Sequence, residues 1–151
     1  MKSQLNLEII NLETRVTFMN VLFVCSGNAY RSPVAEALLK KLKPEIDVDS
    51  AGINPPLIPI SKAARKFLAK ENAEQYLKEV PEVLDSKQLD EYDLIIAMEP
   101  RHKVVVLGKC PECENKIVVW NIHDPYFSPN DYAEKIFEQI RQKVKELAVS
   151  L

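Results

Sequence analysis

Glycine is nearly missing from this chain, with only Gly27, Gly52 and Gly108 in 151 residues. So few glycines exclude a glycine-rich linker, a collagen-like repeat or a low-complexity tract. Set against ten prolines, they describe a stiff chain, and with abundant Lys and Glu they lean towards a thermophilic source. A dominant charge is missing too. Twenty basic and 22 acidic side chains leave a formal net charge of -2, which offers no general attraction to nucleic acid or to an anionic membrane surface. Any positive potential must therefore be local. No apolar run is long enough to cross a bilayer, and the first residues lack the continuous apolar core of a secretory signal, so a cytoplasmic protein is expected. Three cysteines do not make a secreted disulfide framework. The length suits one domain with a sizeable core, and no internal repeat divides it.

Strand-like and helix-like patterns alternate from Asn20 onward. Asn20–Cys25 is continuously apolar after its first residue and predicts a buried strand. Val34, Ala35, Leu38, Leu39 and Leu42 then recur at helical spacing, with Pro33 in the first turn and Pro44 past the end. Ile46–Ser50 predicts a second strand, and Gly52 to Pro59 a proline-stiffened loop. Ser61 predicts a cap for a helix carrying Ala64, Phe67 and Leu68. A further helical stretch is expected through Ala73, Tyr76, Leu77 and Val80, stopped by Pro81. Asp93–Met98 and Lys116–Trp120 predict two more strands. Pro100 opens a helix through Leu107, although Val104 to Val106 also suits a strand, and a long amphipathic helix ends the chain. This order implies an α/β fold in three layers, a single domain with a four-stranded parallel sheet between helices. Ligands of such sheets bind at the carboxyl ends of the strands. Residues 1–18 precede this pattern. Their alternation at Leu5, Leu7, Ile9, Val16 and Phe18 permits an extra strand or hairpin. Equally, Met19 can be the natural start, which makes 19–151 the whole domain. Deleting 1–18 separates the two readings, since unchanged melting and activity remove a structural role.

The chemistry concentrates in Cys25-Ser26-Gly27-Asn28-Ala29-Tyr30-Arg31-Ser32-Pro33, directly after the first strand. A cysteine at a strand end, a short loop and a helix start together build an anion cradle. Loop N–H groups turn inward and the helix presents its positive end. An anion held there sits on the Cys25 sulfur and under the Arg31 guanidinium, and the same field should favour the thiolate. The spacing Cys-x5-Arg-Ser, the Gly27-Asn28 and Arg31-Ser32-Pro33 pairs, and a distant Asp124-Pro125-Tyr126 resemble the low-molecular-weight protein tyrosine phosphatases. Ser50-Ala51-Gly52 and Leu94 to Glu99 also resemble segments of that family, so the similarity runs from about Asn20 to Leu147.

The resemblance implies a phosphatase-type phosphate loop after the first strand and a reaction through phosphocysteine. Cys25 is then the nucleophile. Arg31 grips two equatorial phosphoryl oxygens with its planar fork, which a lysine could not do. Ser26, Gly27, Asn28, Ala29, Tyr30 and Ser32 complete the loop. Ser32 donates to the Cys25 sulfur, a role compatible with capping the helix, and Gly27 and Asn28 tolerate the positive φ of a tight cradle. Asp124 protonates the leaving phenolate and then activates water. Tyr126 and Phe127 resemble aromatic walls for a phosphotyrosine ring. The expected partner is a phosphotyrosyl protein or a small aryl phosphate, with no nucleic acid or membrane, no cofactor and no metal, and a monomer is favoured. Phosphoserine is a further substrate class to be tested.

One position departs from the family. Many members carry a second cysteine directly before the loop arginine, where this chain has Tyr30, so that local redox switch cannot operate. Tyr30 is instead a candidate for the cleft mouth. The other cysteines, Cys110 and Cys113, allow three readings: a local disulfide, a redox pair serving Cys25, or half a zinc site completed by His102 and His123. The redox pair would make the chain an arsenate reductase of the same fold, the alternative function. Otherwise each histidine is expected at the surface or in a loop.

Overall fold

Five of the six residues of Asn20–Cys25 are apolar, and a strand with no polar face must be covered on both sides. In the computed structural model, which describes residues 19–55, 58–125 and 130–151, this segment is β1 and it lies inside the sheet. β2 (Asp47–Gly52), β3 (Leu94–Ala97) and β4 (Ile117–Val119) complete a parallel sheet in the order β2-β1-β3-β4. The helices are α1 (Arg31–Leu42), α2 (Lys62–Lys70), α3 (Pro100–Lys109) and α4 (Asn130–Ser150). The expected three-layer α/β architecture is thus present. Residues 1–18, and with them both readings of the extension, lie outside the described residues.

Alternation along β1 sorts the core into two layers. Val21, Phe23 and Cys25 face a cluster built from α1, α2 and α4, including Leu39, Phe67, Ile136, Phe137 and Ile140. Leu22 and Val24 face the other way, onto Val106, Cys110, Cys113, Leu84 and Leu89. The nucleophile candidate therefore ends its strand on the α1 side. β1 also has β2 on one flank and β3 on the other, so chain connections diverge from it in both directions. Such a switch point opens a crevice at the carboxyl ends of the strands.

The predicted elements are found with shifts of a residue or two at their ends, and Pro100–Lys109 is helix rather than strand. Ser61 caps α2 by accepting the Ala64 N–H. The expected helix through Ala73–Val80 is a correction: only a 3-10 turn, Glu74–Tyr76, forms there. The reason lies at the end of α2. Asn72 takes a left-handed φ of 56°, and the Ala73 and Asn72 N–H groups bond back to the Leu68 and Ala69 carbonyls. This closes the helix as a Schellman motif and turns the chain away before a new helix can begin. The following segment instead carries Lys78 inward to the loop after β1.

Gly52 is required by contact rather than by conformation. It ends β2 opposite Cys25, and a Cβ there would meet the Ser26 carbonyl oxygen at 2.7 Å and the Asn28 nitrogen at 2.9 Å. Both are backbone atoms that cannot rotate away. Gly52→Ala is expected to lower stability by about 1–3 kcal/mol, as overpacking does. Gly108→Ala, in α3 with open space around it, is expected to raise stability by up to about 1 kcal/mol. Urea unfolding of the two variants checks both signs.

Candidate active site

Cys25 is 2% exposed at the end of β1. The backbone then curls over its sulfur. The Asn28 N–H donates to Cys25 Sγ at 3.2 Å, and Ser32 Oγ lies 2.9 Å from the same atom. The loop is held from outside by its carbonyls: Ile53, Asn54 and Ser61 N–H groups donate to the carbonyls of Cys25, Ser26 and Ala29. With these acceptors occupied on the convex side, the loop's N–H groups are left for the concave side, as an anion cradle requires. Among the described residues left-handed φ falls on Asn28, Asn72 and Asn121 and on no glycine, so the turn of the loop rests on Asn28 and not on Gly27.

The Asn28 side chain has a determinate orientation. Its Oδ1 accepts from Lys78 Nζ at 3.1 Å and from the Glu82 N–H at 2.8 Å, neither of which can accept a hydrogen bond in return. Its Nδ2 therefore donates to Ser32 Oγ and Ser50 Oγ, both at 2.8 Å. Ser32 Oγ accepts from Asn28 and keeps its own hydroxyl hydrogen available to donate to a thiolate at Cys25, 2.9 Å away. Ser50 donates its hydroxyl hydrogen to the buried carboxylate of Glu36. Ser32 is thus not the cap of α1. That position is Tyr30, which makes no side-chain cap bond, and Ser32 stands inside the first turn facing the sulfur. Tyr30 itself is half-buried and packs against the α1-side core.

Arg31 is 1% exposed, and its charge is met on several sides. Nη1 donates to Glu99 Oε2 at 2.6 Å and to the Ile122 carbonyl at 2.7 Å, while Nη2 donates to Ser26 Oγ at 3.3 Å. Asp124 Oδ2 is 3.6 Å from Nη2, and its side chain is 36% exposed, open to water. The path of the chain brings it there. After β4 the Ile122 N–H pairs with the Met98 carbonyl beyond β3, and Asn121 bends the backbone with φ 57°. Cys25, Arg31, Asp124 and the loop Ser26–Ser32 therefore converge on one sheet edge. Tyr126 and Phe127 lie outside the described residues.

Two groups at this edge escape a reading of the sequence alone. Glu99 and His102 start α3 with a reciprocal cap, and both turn to the loop. Burial raises the Glu99 pKa, but the hydrogen bonds from Arg31 and Arg101 outweigh it and hold the carboxyl below its ordinary value. His102, expected at the surface or in a loop, is fully buried and is a correction. Its Nε2 is 2.9 Å from Ser26 Oγ, and its Nδ1 faces the Glu99 N–H at 3.0 Å. Burial first, and then the charges of Arg31 and Arg101, push its pKa down to about 4. The imidazole is neutral at physiological pH. The available signal was the spacing Glu99-x-x-His102 behind Pro100, a capping-box arrangement in which His takes the place of the usual Glu or Gln. His123 is exposed, as expected.

Cys110 and Cys113 are bonded to each other and buried under the opposite face of the sheet from Cys25. Among the described residues no three His, Cys, Asp or Glu side chains come together to hold a metal ion.

The family model for low molecular weight phosphotyrosine protein phosphatases matches residues 20–151. The chain belongs to that family. Within it, the Wzb phosphatase of Salmonella typhi is 30% identical over 141 residues, spanning 89% of this chain and 95% of the relative. The protein-arginine-phosphatase of Bacillus subtilis is 29% identical over 140 residues, spanning 85% and 91%. Among solved structures, Vibrio vulnificus Wzb in complex with benzylphosphonate superposes with a TM-score of 0.80 at 29% identity, covering 89% of this chain and 99% of that one. The sheet order and the strand-to-helix loop after β1 are thus those of a low molecular weight phosphatase.

In this family member the neutral state of His102 has a thermodynamic consequence. Its folded value near 4 lies below the ordinary 6.5, so across that window the unfolded chain binds the additional proton and stability falls as pH falls. Relative to His102→Gln, the native protein is expected to lose up to about 3 kcal/mol of unfolding free energy between neutral pH and the lower end of the window. Denaturant titrations at a series of pH values measure the difference.

Proposed function

We propose that the chain hydrolyses phosphotyrosine monoesters through a phosphocysteine intermediate. The observation that carries this reading is the convergence of a buried cysteine, a buried arginine and a solvent-accessible aspartate on one sheet edge, around a loop whose carbonyls face outward. The Cys25 thiolate attacks phosphorus in line with the leaving oxygen. The sulfur–phosphorus bond forms, the phosphorus–oxygen bond breaks, and Asp124 gives its proton to the departing phenolate. In the second half Asp124, now ionised, takes a proton from water as it attacks phosphorus, and the cysteine leaves as thiolate. Both halves balance without a metal or a cofactor.

Arg31 suits the binding role in detail. Nη1 is engaged with Glu99 and the Ile122 carbonyl, so two phosphoryl oxygens are to be met by the Nε and Nη2 edge of the fork, where Nη2 is shared with Ser26 Oγ and Asp124. Ser32 supports a sulfur that must be a good leaving group, because its hydroxyl lies 2.9 Å from Sγ and donates to the thiolate. Tyr126 and Phe127 are retained as proposed walls for the aromatic ring, with phosphotyrosyl protein or an aryl phosphate as substrate.

Arsenate reduction is the weaker reading. It needs Cys110 and Cys113 to exchange with Cys25. Cys110 instead directly follows a ten-residue helix whose first turn borders the site, a helix about 15 Å long. The two cysteines are also covered by the core beneath the other face.

Phosphotyrosine, phosphoserine and phosphoarginine peptides, the last chosen because of the Bacillus subtilis relative, should be compared at mildly acidic pH. Fast phosphotyrosine turnover is expected, with Cys25→Ser abolishing it while inorganic phosphate still binds. Asp124→Asn is expected to lower kcat by about 10²–10⁴-fold with a much smaller change in KM. Turnover that survives Cys25→Ser would overturn the phosphocysteine route, and preference for either other peptide would reassign the substrate.

A further inference from the structure

Ser26 directly follows the nucleophile, and its side chain is oriented by two neighbours, His102 and Arg31. The Glu99 N–H donates to His102 Nδ1, so that nitrogen carries no proton. The proton of the neutral ring is therefore on Nε2, which faces Ser26 Oγ at 2.9 Å and must donate to it. Arg31 Nη2 donates to the same oxygen at 3.3 Å. A hydroxyl oxygen has two lone pairs, and both are now engaged. The hydroxyl hydrogen is left to point along the remaining direction, and among the described residues no acceptor meets it. Ser26 Oγ lies beside Nη2 and away from Nη1, the nitrogen engaged by Glu99 and the Ile122 carbonyl.

We propose that the Ser26 hydroxyl is a phosphate-binding donor, turned onto a phosphoryl oxygen by His102 and Arg31, with His102 acting as a positioning residue. This rests on the phosphate-binding role given to the loop above. It adds a side-chain donor to the backbone cradle, and it explains why a histidine with both ring nitrogens hydrogen-bonded is buried at the start of α3. A carboxamide at position 102 can preserve part of the arrangement, because its nitrogen can still donate to Ser26. An aliphatic side chain cannot.

Inorganic phosphate is the probe, and its affinity is read by calorimetry on the purified full chain, which needs no turnover. Ser26→Ala is expected to weaken phosphate binding about 10-fold, in the range for loss of one charge-assisted hydrogen bond, and Ser26→Thr should restore it to within about 3-fold. His102→Leu is expected to match Ser26→Ala, with His102→Gln in between. The double variant Ser26→Ala/His102→Leu should be no weaker than either single variant, since His102 acts through Ser26. Wild-type phosphate affinity in Ser26→Ala overturns the proposal, and so do fully additive losses. If His102→Leu does not fold, the Ser26→Ala and Ser26→Thr pair decides alone. A wild type that binds phosphate but turns over no phosphopeptide would count against the proposed function and leave this donor role standing on its own measurement.

Discussion

The left-handed turn at Asn28 is the constraint on which the site depends. A loop that presents N–H groups to one point must reverse its backbone within a few residues, and at one of them φ becomes positive. Asparagine accepts that conformation more readily than other side chains with a Cβ. Here its amide also makes four hydrogen bonds, to Lys78, Glu82, Ser32 and Ser50. The bonds hold the loop in its strained form and fix the positions of two hydroxyls. One of them reaches the nucleophile and the other ends on the buried Glu36. The organisation of the sulfur thus begins several ångströms from it, at a lysine and a peptide N–H.

A second constraint is charge. Arg31 is buried in a protein with slightly more acidic than basic side chains. A lone buried guanidinium would be costly, so Glu99, Asp124 and a backbone carbonyl surround it. These partners do more than neutralise. Glu99 and Ile122 occupy one nitrogen and so decide which edge of the guanidinium remains for an anion. Lys78 plays the matching role behind the loop. It is nearly buried among Glu36, Asp49 and Glu82, and Lys87 joins the last two. Burial raises the carboxyl pKa values of Asp49 and Glu82, but hydrogen bonds and charge from Lys87 and Lys78 outweigh it and hold both below their ordinary values.

The fold was legible where local patterns carry it. Apolar runs marked β1, β3 and β4, a short alternation marked β2, helical spacing marked the helices, and Ser61 marked a cap. The reading failed between Ala73 and Val80, where apolar spacing suited a helix but Asn72 had already closed α2 and Lys78 was drawn to Asn28. Within the site, Cys25, Asn28, Arg31, Ser32 and Asp124 could be picked out because four of them share one short segment and the fifth stands in a distinctive tripeptide. Glu99 and His102 could not be placed. Their partners, Arg31 and Ser26, are 68 and 76 residues away along the chain, and Lys78 is 50 residues from Asn28.

The strand–loop–helix unit that follows Val24 is written into the chain locally, because a buried strand, an Asn able to turn left-handed and a Pro in the first helical turn are local instructions. So are the residue types available for chemistry. Which of those residues meet was decided by tertiary structure. The order β2-β1-β3-β4 places the ends of β1, β3 and β4 at one crevice, and only there do Ser26, Arg31, Glu99, His102 and Asp124 come within reach of one another. The same packing carried Cys110 and Cys113 to the far face. Spacing along the chain holds no record of which sheet face a distant cysteine will join, because that depends on how each crossover helix packs.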